Sequence, residues 1–284
     1  SLAIDMLREA VPLAVVIILG LLRQKMDALM LTALATQTDV GIYGAALRVH
    51  EVLITFPALF VALLYPVFSR LTAEGMAAVQ PVFRRTFEVL LHAGLCVGLA
   101  IWIAAPPLAA TLGAPAAASP IRLLALALPG AFMALGFSHL VYAEGRTGVV
   151  VKLYSFLVFF NFGMNLRLMP RYSYIGGALA SLSTEWVAML ILATYWIGWR
   201  HMRLSRRGFL AIPLTVLLGF GLQALRNLWV PSADASIVTQ IVAMLLCGAA
   251  AAALYLAAVM ALRLLPFEVL RSLLPQSTLG KTST

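Results

Sequence analysis

Long apolar stretches separated by short polar connectors make up most of this chain. At about 20 apolar residues for each crossing of a hydrocarbon layer, the pattern predicts eight membrane-spanning helices. They are expected near residues 10–35, 41–68, 86–112, 119–143, 148–168, 174–198, 208–230 and 236–265. The connectors between them are short and rich in turn residues such as Pro, Gly, Asp and Ser. The predicted fold class is therefore all-α, a polytopic transmembrane helical bundle of about eight spans.

Composition indicates the same class. Of the 284 residues, 62% are hydrophobic and 11% are charged, whereas a soluble domain has about 25% charged residues. Cys96 and Cys247 both lie within apolar spans, without the spacing of a metal site or a disulfide framework, so we expect buried thiols and no metal or cofactor. The connectors carry no Gly-rich phosphate loop, nucleophile elbow or paired carboxylates. We therefore expect that the protein is not an enzyme.

The Lys and Arg residues indicate the orientation in the membrane. Placing the N-terminus in the cytoplasm puts thirteen cations on that side and four on the other. The thirteen are Arg8, Arg70, Arg84, Arg85, Arg146, Lys152, Arg200, Arg203, Arg206, Arg207, Arg263, Arg271 and Lys281. Because cytoplasmic connectors carry the excess of cations, both ends of this segment are expected in the cytoplasm. The net charge of +9 then reflects topology and attraction to anionic membrane lipids, and no nucleic-acid partner is expected.

The first two spans contain charged residues at membrane depth, where an ionised side chain is costly unless it faces protein or water. Arg23 and Asp27 lie four residues apart on one face of the first helix, with Gln24 beside them. Folding the two spans into a hairpin brings Arg48 and Glu51 of the second helix to the level of Asp27. The sequence therefore predicts a polar patch of these five residues between two antiparallel helices.

Two interpretations of this patch are open. In the first, the charges pair with one another and only lock the hairpin. In the second, the patch borders a hydrophilic cavity and binds an anionic or sugar-bearing substrate. Lys25 complicates both, because it lies about 160° around the helix from Arg23. Either this helix is surrounded by protein and water at that level, or it is broken there, as in many transporter sites.

Spans five and six carry further polar residues. Asn161 and Asn165 lie four apart on one face of span five, where they either form interhelical hydrogen bonds or line a cavity. Glu185, about halfway along span six, is a candidate proton or cation site. Together with Asp27 and Glu51, it completes the set of candidate residues for a coupling ion.

Two stretches resemble a known family. One runs from Asp39-Val-Gly-Ile-Tyr through Arg48 to Arg70, and the other from Ala143-Glu-Gly-Arg through Tyr174-Ile-Gly-Gly-Ala to Glu185. They resemble the second half of bacterial oligosaccharide flippases, the O-antigen (Wzx-like) transporters of the multidrug/oligosaccharidyl-lipid/polysaccharide exporter superfamily. In that family an Asp precedes a Gly-x-Tyr-x-x-Ala turn, and Pro-x-x-Ser-Arg ends the next span. The matching residues here are Asp27, Gly41, Tyr43, Ala46, Pro66, Ser69 and Arg70.

The resemblance covers roughly residues 10–200. It implies a transporter of two six-helix lobes plus two additional helices, of which this chain holds the C-terminal part. On that basis residues 1–200 form the second lobe, 201–268 two additional transmembrane helices, and 269–284 a polar cytoplasmic tail. The implied function is transport in polysaccharide biosynthesis: flipping a polyprenyl-diphosphate-linked oligosaccharide across the bacterial cytoplasmic (inner) membrane by alternating access.

The resemblance also implies partners and a site. The expected partners are the lipid-linked oligosaccharide, membrane lipids, a missing N-terminal lobe or a partner chain that supplies it, and a polysaccharide polymerase or assembly machinery. Because the chain begins at Ser1 without an initiator Met or a signal peptide, we expect it to be a piece of a longer protein. Arginine forks suit diphosphate oxygens. The candidate substrate-binding residues are Arg23, Gln24, Asp27, Arg48, Glu51, Asn161 and Asn165.

Three alternatives stay open at this point. A cation-coupled multidrug antiporter of the same superfamily would need a cavity dominated by acidic residues, whereas the predicted patch has cations in equal number. A membrane glycosyltransferase or ligase should show an acidic metal-binding loop or a long external loop, and the connectors are too short for either. A non-transporting assembly partner of a polysaccharide complex would need no cavity at all.

Overall fold

The computed structural model describes residues 2–200, 210–226, 235–262 and 264. The chain is helical throughout these ranges, and its longest helices are joined by turns of a few residues. The helices are α1 (Leu2–Leu34), α2 (Gln37–Glu74), α3 (Met76–Thr111), α4 (Ala118–Ala143), α5 (Thr147–Thr194), α6 (Ala211–Arg226) and α7 (Ile237–Ala261). A short 3₁₀ turn (Pro115–Ala117) precedes α4, and a π-helical turn (Tyr195–Trp199) ends α5. The predicted all-α fold class is confirmed.

Helix α5 is two helices joined at a sharp reversal. Ser173 has φ 47° and ψ −127°, a backbone conformation that residues other than glycine adopt only in turns. The side chain of Asn161 donates to the hydroxyl of Thr184 at 3.3 Å, and these two residues lie at almost equal distances from Ser173 along the chain. The halves of α5, 147–172 and 174–194, are therefore antiparallel and correspond to predicted spans five and six.

The described helices reproduce the predicted order of spans. Five of them are long and apolar enough to cross a membrane: α2, α3, α4 with its preceding turn, α5 and α7. The α5 hairpin supplies two passes. Helix α1 has the necessary length but carries charges at its centre. Predicted span 208–230 is described from 210 to 226, whereas the basic cluster Arg203–Arg207 and the tail 269–284 lie outside the described residues.

Helix α4 lies at the centre of the bundle, where it packs against α2, α3 and α5. Its side chains are buried on nearly every face, as expected for a helix that is apolar all round. The contact with α3 is especially close at Gly94 and Gly98. A Cβ built on Gly94 would lie 2.7 Å from the Cα of Pro129, and one on Gly98 would lie 2.8 Å from the carbonyl oxygen of Ala125. The absence of side chains at these two glycines therefore sets the separation of α3 and α4.

Helix α7 packs on the outer side of α3. Its Tyr255 is fully buried, and the phenol oxygen lies 2.7 Å from Nδ1 of the buried His92 on α3. A polar pair sealed within apolar helices is costly to separate. This bond therefore ties α7 to the lobe formed by α1–α5.

Replacing Tyr255 with Phe should lower the stability of the protein by about 0.6–1.7 kcal/mol, the range measured for interhelical hydrogen bonds in membranes. The physical reason is that His92 loses its partner in a buried site. The thermal unfolding midpoint in detergent micelles measures the change. Tyr65→Phe is the matched control, because Tyr65 is 40% exposed. Equal midpoints for the two variants would show that the pair does not hold α7.

The two ends of the bundle differ in chemistry. At the end where α2 begins, Thr36 and Asp39 form a capping box. The Thr36 hydroxyl donates to the Asp39 carboxylate at 2.9 Å, and this hydrogen bond holds the pKa of Asp39 below its usual range. At the opposite end, which we call the basic end, the buried carboxylate of Glu144 pairs with Arg200 and accepts from Tyr195 at 3.1 Å. Each end of the bundle therefore has its own set of polar contacts.

Candidate functional site

A polar cavity of about 240 Å³ lies near mid-length of the bundle. Its walls come from α1, α2, α4 and both halves of α5. The polar side chains that line it are Arg23, Gln24, Asp27, His50, Glu51, Ser138, Tyr154, Asn161, Ser181, Thr184 and Glu185. A larger cavity of about 490 Å³ between α3, α4, α5 and α6 is mostly apolar, and no charged side chain is among the described residues that line it. The polar cavity is therefore the candidate site.

Asp27 occupies the inner end of this cavity and is 2% exposed. Its carboxylate accepts hydrogen bonds from the Tyr43 hydroxyl at 2.9 Å, from the Asn165 amide at 2.6 Å and from the Ser181 hydroxyl. All three donors are neutral. The neighbouring cations Arg23 and Lys25 are directed to other partners, Glu185 and Glu51. Asp27 is thus a buried carboxylate that neutral groups hold in place.

The two asparagines of α5 extend the network from Asp27. Asn165 donates to the side-chain oxygen of Asn161 at 3.0 Å, and Asn161 donates to Thr184 at 3.3 Å. The side-chain oxygen of Asn165 is buried and has no hydrogen-bond partner. The asparagines therefore join the two halves of α5 to α1, while Asn161 also lines the cavity. Both functions that the sequence left open for Asn161, interhelical bonding and cavity lining, are present.

Arg23 and Glu185 form an ion pair across the cavity wall, with 2.5 Å between the guanidinium nitrogen and the carboxylate oxygen. The side chains are 22% and 13% exposed, so the pair is partly withdrawn from solvent. The ring of Tyr154 lies 5.8 Å from the guanidinium carbon of Arg23, a distance at which the aromatic face attracts the cation. Arg23 is thus held by α5 on two sides.

The charges of the predicted patch do not pair with one another, which was the first of the two open interpretations. Glu51 pairs with Lys25 at 2.6 Å, not with Arg48. Arg48 is exposed and is not among the residues that line the cavity, whereas Gln24 does line it. The α1 helix is also continuous through Lys25, so the alternative of a helix broken at that level is excluded.

The packing of the helices explains this difference. Helix α1 packs mainly against α5, and α2 packs mainly against α4, so the first two helices have little contact with each other. The hairpin is splayed, and its two helices form opposite walls of the cavity. Arg23 therefore pairs with Glu185 on α5. Asp27 accepts hydrogen bonds from Asn165 and Ser181 of α5 as well as from Tyr43 of α2.

Six residues of the site were not identified from the sequence as site residues: Tyr43, His50, Ser138, Tyr154, Ser181 and Thr184. Tyr43, Ser181 and Thr184 lie within or beside the two family-like stretches, so their hydroxyl groups at membrane depth were a signal that could have been used. His50 and Tyr154 had no such signal, because single polar or aromatic residues are common on packed helices. The fold alone directs them into the cavity.

A polytopic helical bundle with a central polar cavity walled by several helices is the architecture of a membrane transporter lobe. Among solved structures, the lipid II flippase MurJ in an inward closed conformation matches with a TM-score of 0.63 and 12% sequence identity. The match covers 84% of this chain and 52% of the flippase chain. No protein-family model and no curated protein sequence matches. The chain therefore shares the transmembrane helical fold of this flippase structure and spans about half of its length.

Proposed function

We propose that this protein is the C-terminal part of a flippase that moves a lipid-linked oligosaccharide across the bacterial cytoplasmic membrane. The observation that carries the proposal is a cavity at mid-length of the bundle, in a flippase fold, that contains Arg23 and a set of hydrogen-bonding side chains. A diphosphate-linked sugar is costly to move through hydrocarbon, and such groups replace the water that it loses. Guanidinium donors suit the oxygens of a diphosphate.

The family resemblance, the geometry and the charge distribution support the remaining features of the proposal. A second lobe of the same kind, from upstream residues or from a partner chain, would complete the chamber, and rocking of the two lobes would open it to either side in turn. The excess of cations at the basic end supports a cytoplasmic location for that end. The bound lipid is polyprenyl diphosphate, and the Wzx-like assignment to O-antigen or another surface polysaccharide is part of this proposal.

Asp27 is our candidate for the coupling-ion site. It is a buried carboxylate beside the hydroxyl oxygens of Tyr43 and Ser181, and the side-chain oxygen of nearby Asn165 lacks a partner. Oxygen ligands of this kind suit a hard monovalent cation or a proton on the carboxylate. Glu51 and Glu185 are weaker candidates, because each already pairs with a cation.

Replacing Arg23 with Ala should reduce transport at least about tenfold, since a charge-assisted hydrogen bond to the substrate is lost. The measurement is surface polysaccharide in cells that depend on the full-length protein, at equal expression. Arg167→Ala is the control, because Arg167 is exposed on α5 outside the cavity. Arg48→Ala tests whether the exposed side of α2 faces the complete chamber. Normal polysaccharide with Arg23→Ala would contradict the proposal.

One observation favours a second candidate, a cation-coupled drug antiporter of the same superfamily. Among the described residues, the charged side chains that line the cavity are one arginine and three carboxylates: Arg23 against Asp27, Glu51 and Glu185. The predicted equality of cations and anions therefore does not hold within the cavity. Efflux of cationic dyes that depends on Glu185, with unchanged polysaccharide, would favour the antiporter.

A further inference from the structure

Arg23 is the one Lys or Arg side chain among the described residues that line the polar cavity, and a carboxylate already occupies it. Its guanidinium lies 2.5 Å from Glu185. An anionic substrate that enters the cavity therefore meets the carboxylates of Asp27 and Glu51, and the one cation that lines the cavity is already paired with Glu185. Binding of such a substrate needs Arg23 to change partners.

Arg23 has capacity for a second acceptor. Its Nε is buried and has no hydrogen-bond partner, although a guanidinium offers five N–H donors. On the opposite wall, Nδ1 of His50 is also buried and has no partner. A phosphate group carries several acceptor oxygens and can take Nε and the terminal nitrogens of an arginine together. His50 can donate to that phosphate when protonated, or accept from a sugar hydroxyl when neutral.

The Arg23–Glu185 pair is also one of two ties between the same helices. Asp27 lies one turn from Arg23 on α1, and Ser181 lies one turn from Glu185 on α5. The hydroxyl of Ser181 donates to Asp27, so the ion pair and this hydrogen bond connect α1 to residues 174–194 at successive helical turns. If Glu185 separates from Arg23, the ion pair is lost and the hydrogen bond between Ser181 and Asp27 remains.

We propose that Glu185 is an internal counter-ion, which the diphosphate of an isoprenoid-linked substrate displaces from Arg23. This exchange satisfies the free Nε of Arg23 and releases α1 from one of its ties to α5. Substrate binding therefore also weakens the contact between α1 and α5, two of the walls of the cavity. The inference rests on the proposed function, because it takes an isoprenoid diphosphate as the substrate class.

The test measures binding of farnesyl diphosphate to the purified protein in lipid nanodiscs, with farnesol as the uncharged comparison. Glu185→Gln should tighten binding of farnesyl diphosphate at least about tenfold, because the competing carboxylate is gone and Arg23 stays. Glu51→Gln is the matched control: it removes another carboxylate from the same cavity, but one that pairs with Lys25. Its effect should stay below about threefold. Binding of farnesol should not change.

A double variant, Arg23→Gln with Glu185→Gln, keeps a neutral hydrogen-bonding pair between α1 and α5, and its thermal midpoint reports whether the lobe is folded. We expect it to lose the tightening and to bind more weakly than the wild type. Equal tightening by Glu51→Gln and Glu185→Gln would assign the effect to the net charge of the cavity and overturn the inference. Tight binding of farnesyl diphosphate by the double variant would overturn the inference as well, because Arg23 would then not be the residue that binds the diphosphate.

Failure of the inference and failure of the proposed function have different signatures. If the wild type binds farnesyl diphosphate and Glu185→Gln leaves the affinity unchanged, the counter-ion role is wrong and the flippase proposal stands. If none of the folded variants distinguishes farnesyl diphosphate from farnesol, the cavity does not recognise a diphosphate. Both proposals then fail.

Discussion

Replacing Asp27 with Asn is expected to reduce transport at least about tenfold while the protein stays folded. The amide can accept from Asn165 through its oxygen and donate to the hydroxyls of Tyr43 and Ser181, so the hydrogen bonds survive. What the substitution removes is the negative charge, which a coupling cation or proton requires. Surface polysaccharide in cells and the thermal midpoint of the purified protein measure the two parts of this prediction.

Asp39→Asn is the matched control, because it makes the same chemical change in the capping box at the far end of α2. Asp39 is the N3 residue of this box, where the side-chain oxygen of Asn can still accept from Thr36, so transport should be preserved. If Asp27→Asn transports normally, Asp27 is a structural hydrogen-bond acceptor and the coupling-ion assignment is wrong. If it also lowers the thermal midpoint by several degrees, the loss of transport no longer identifies a coupling role.

Replacing Gly94 with Ala is expected to lower stability by about 1–3 kcal/mol, with a larger loss for Gly94→Leu. The added Cβ would lie 2.7 Å from the Cα of Pro129, and a backbone atom cannot move aside as a flexible side chain can. Helix α4 would have to shift away from α3. Because α4 also packs on α2 and α5, that shift would be transmitted to the cavity walls. The thermal midpoint in detergent is the measurement.

Gly163→Ala is the control for this prediction. Gly163 is also helical, but it is exposed, and a Cβ there would meet no atom within 4 Å. Alanine at such a position should leave stability unchanged or raise it by about 0.5–1 kcal/mol, since glycine is the poorer helix former. Similar losses at both glycines would show that helix propensity and not the α3–α4 contact decides the outcome.

The fold class was predictable because the bilayer constrains the sequence so strongly. Each pass needs a long apolar segment, and each connector needs turn residues and a polar surface. For the same reason, the division of α5 into two spans was correctly predicted from Pro170 and the polar residues around Ser173. The close contact of α3 and α4 had a signal too, the four-residue spacing of Gly94 and Gly98 within an apolar helix.

The site was predicted in part. The unusual cost of a charge at membrane depth correctly drew attention to Arg23, Asp27 and Glu185, and the structure brings all three to one cavity. The proposed partners were wrong because the prediction assumed that α1 packs against the next helix in the chain. Glu51 does line the cavity, but its partner is Lys25, and Arg48 lies outside the cavity.

What the sequence by itself determined is the number, order and polarity of the helices, since these depend on the local competition between water and lipid for each segment. Only the tertiary structure decided that α1 and α2 splay apart, that Arg23 pairs with Glu185, and that neutral donors surround Asp27. The physical reason is that a charge at membrane depth requires a partner but does not specify which one. Helices distant in sequence supply that partner, and their positions follow from side-chain packing across the whole bundle.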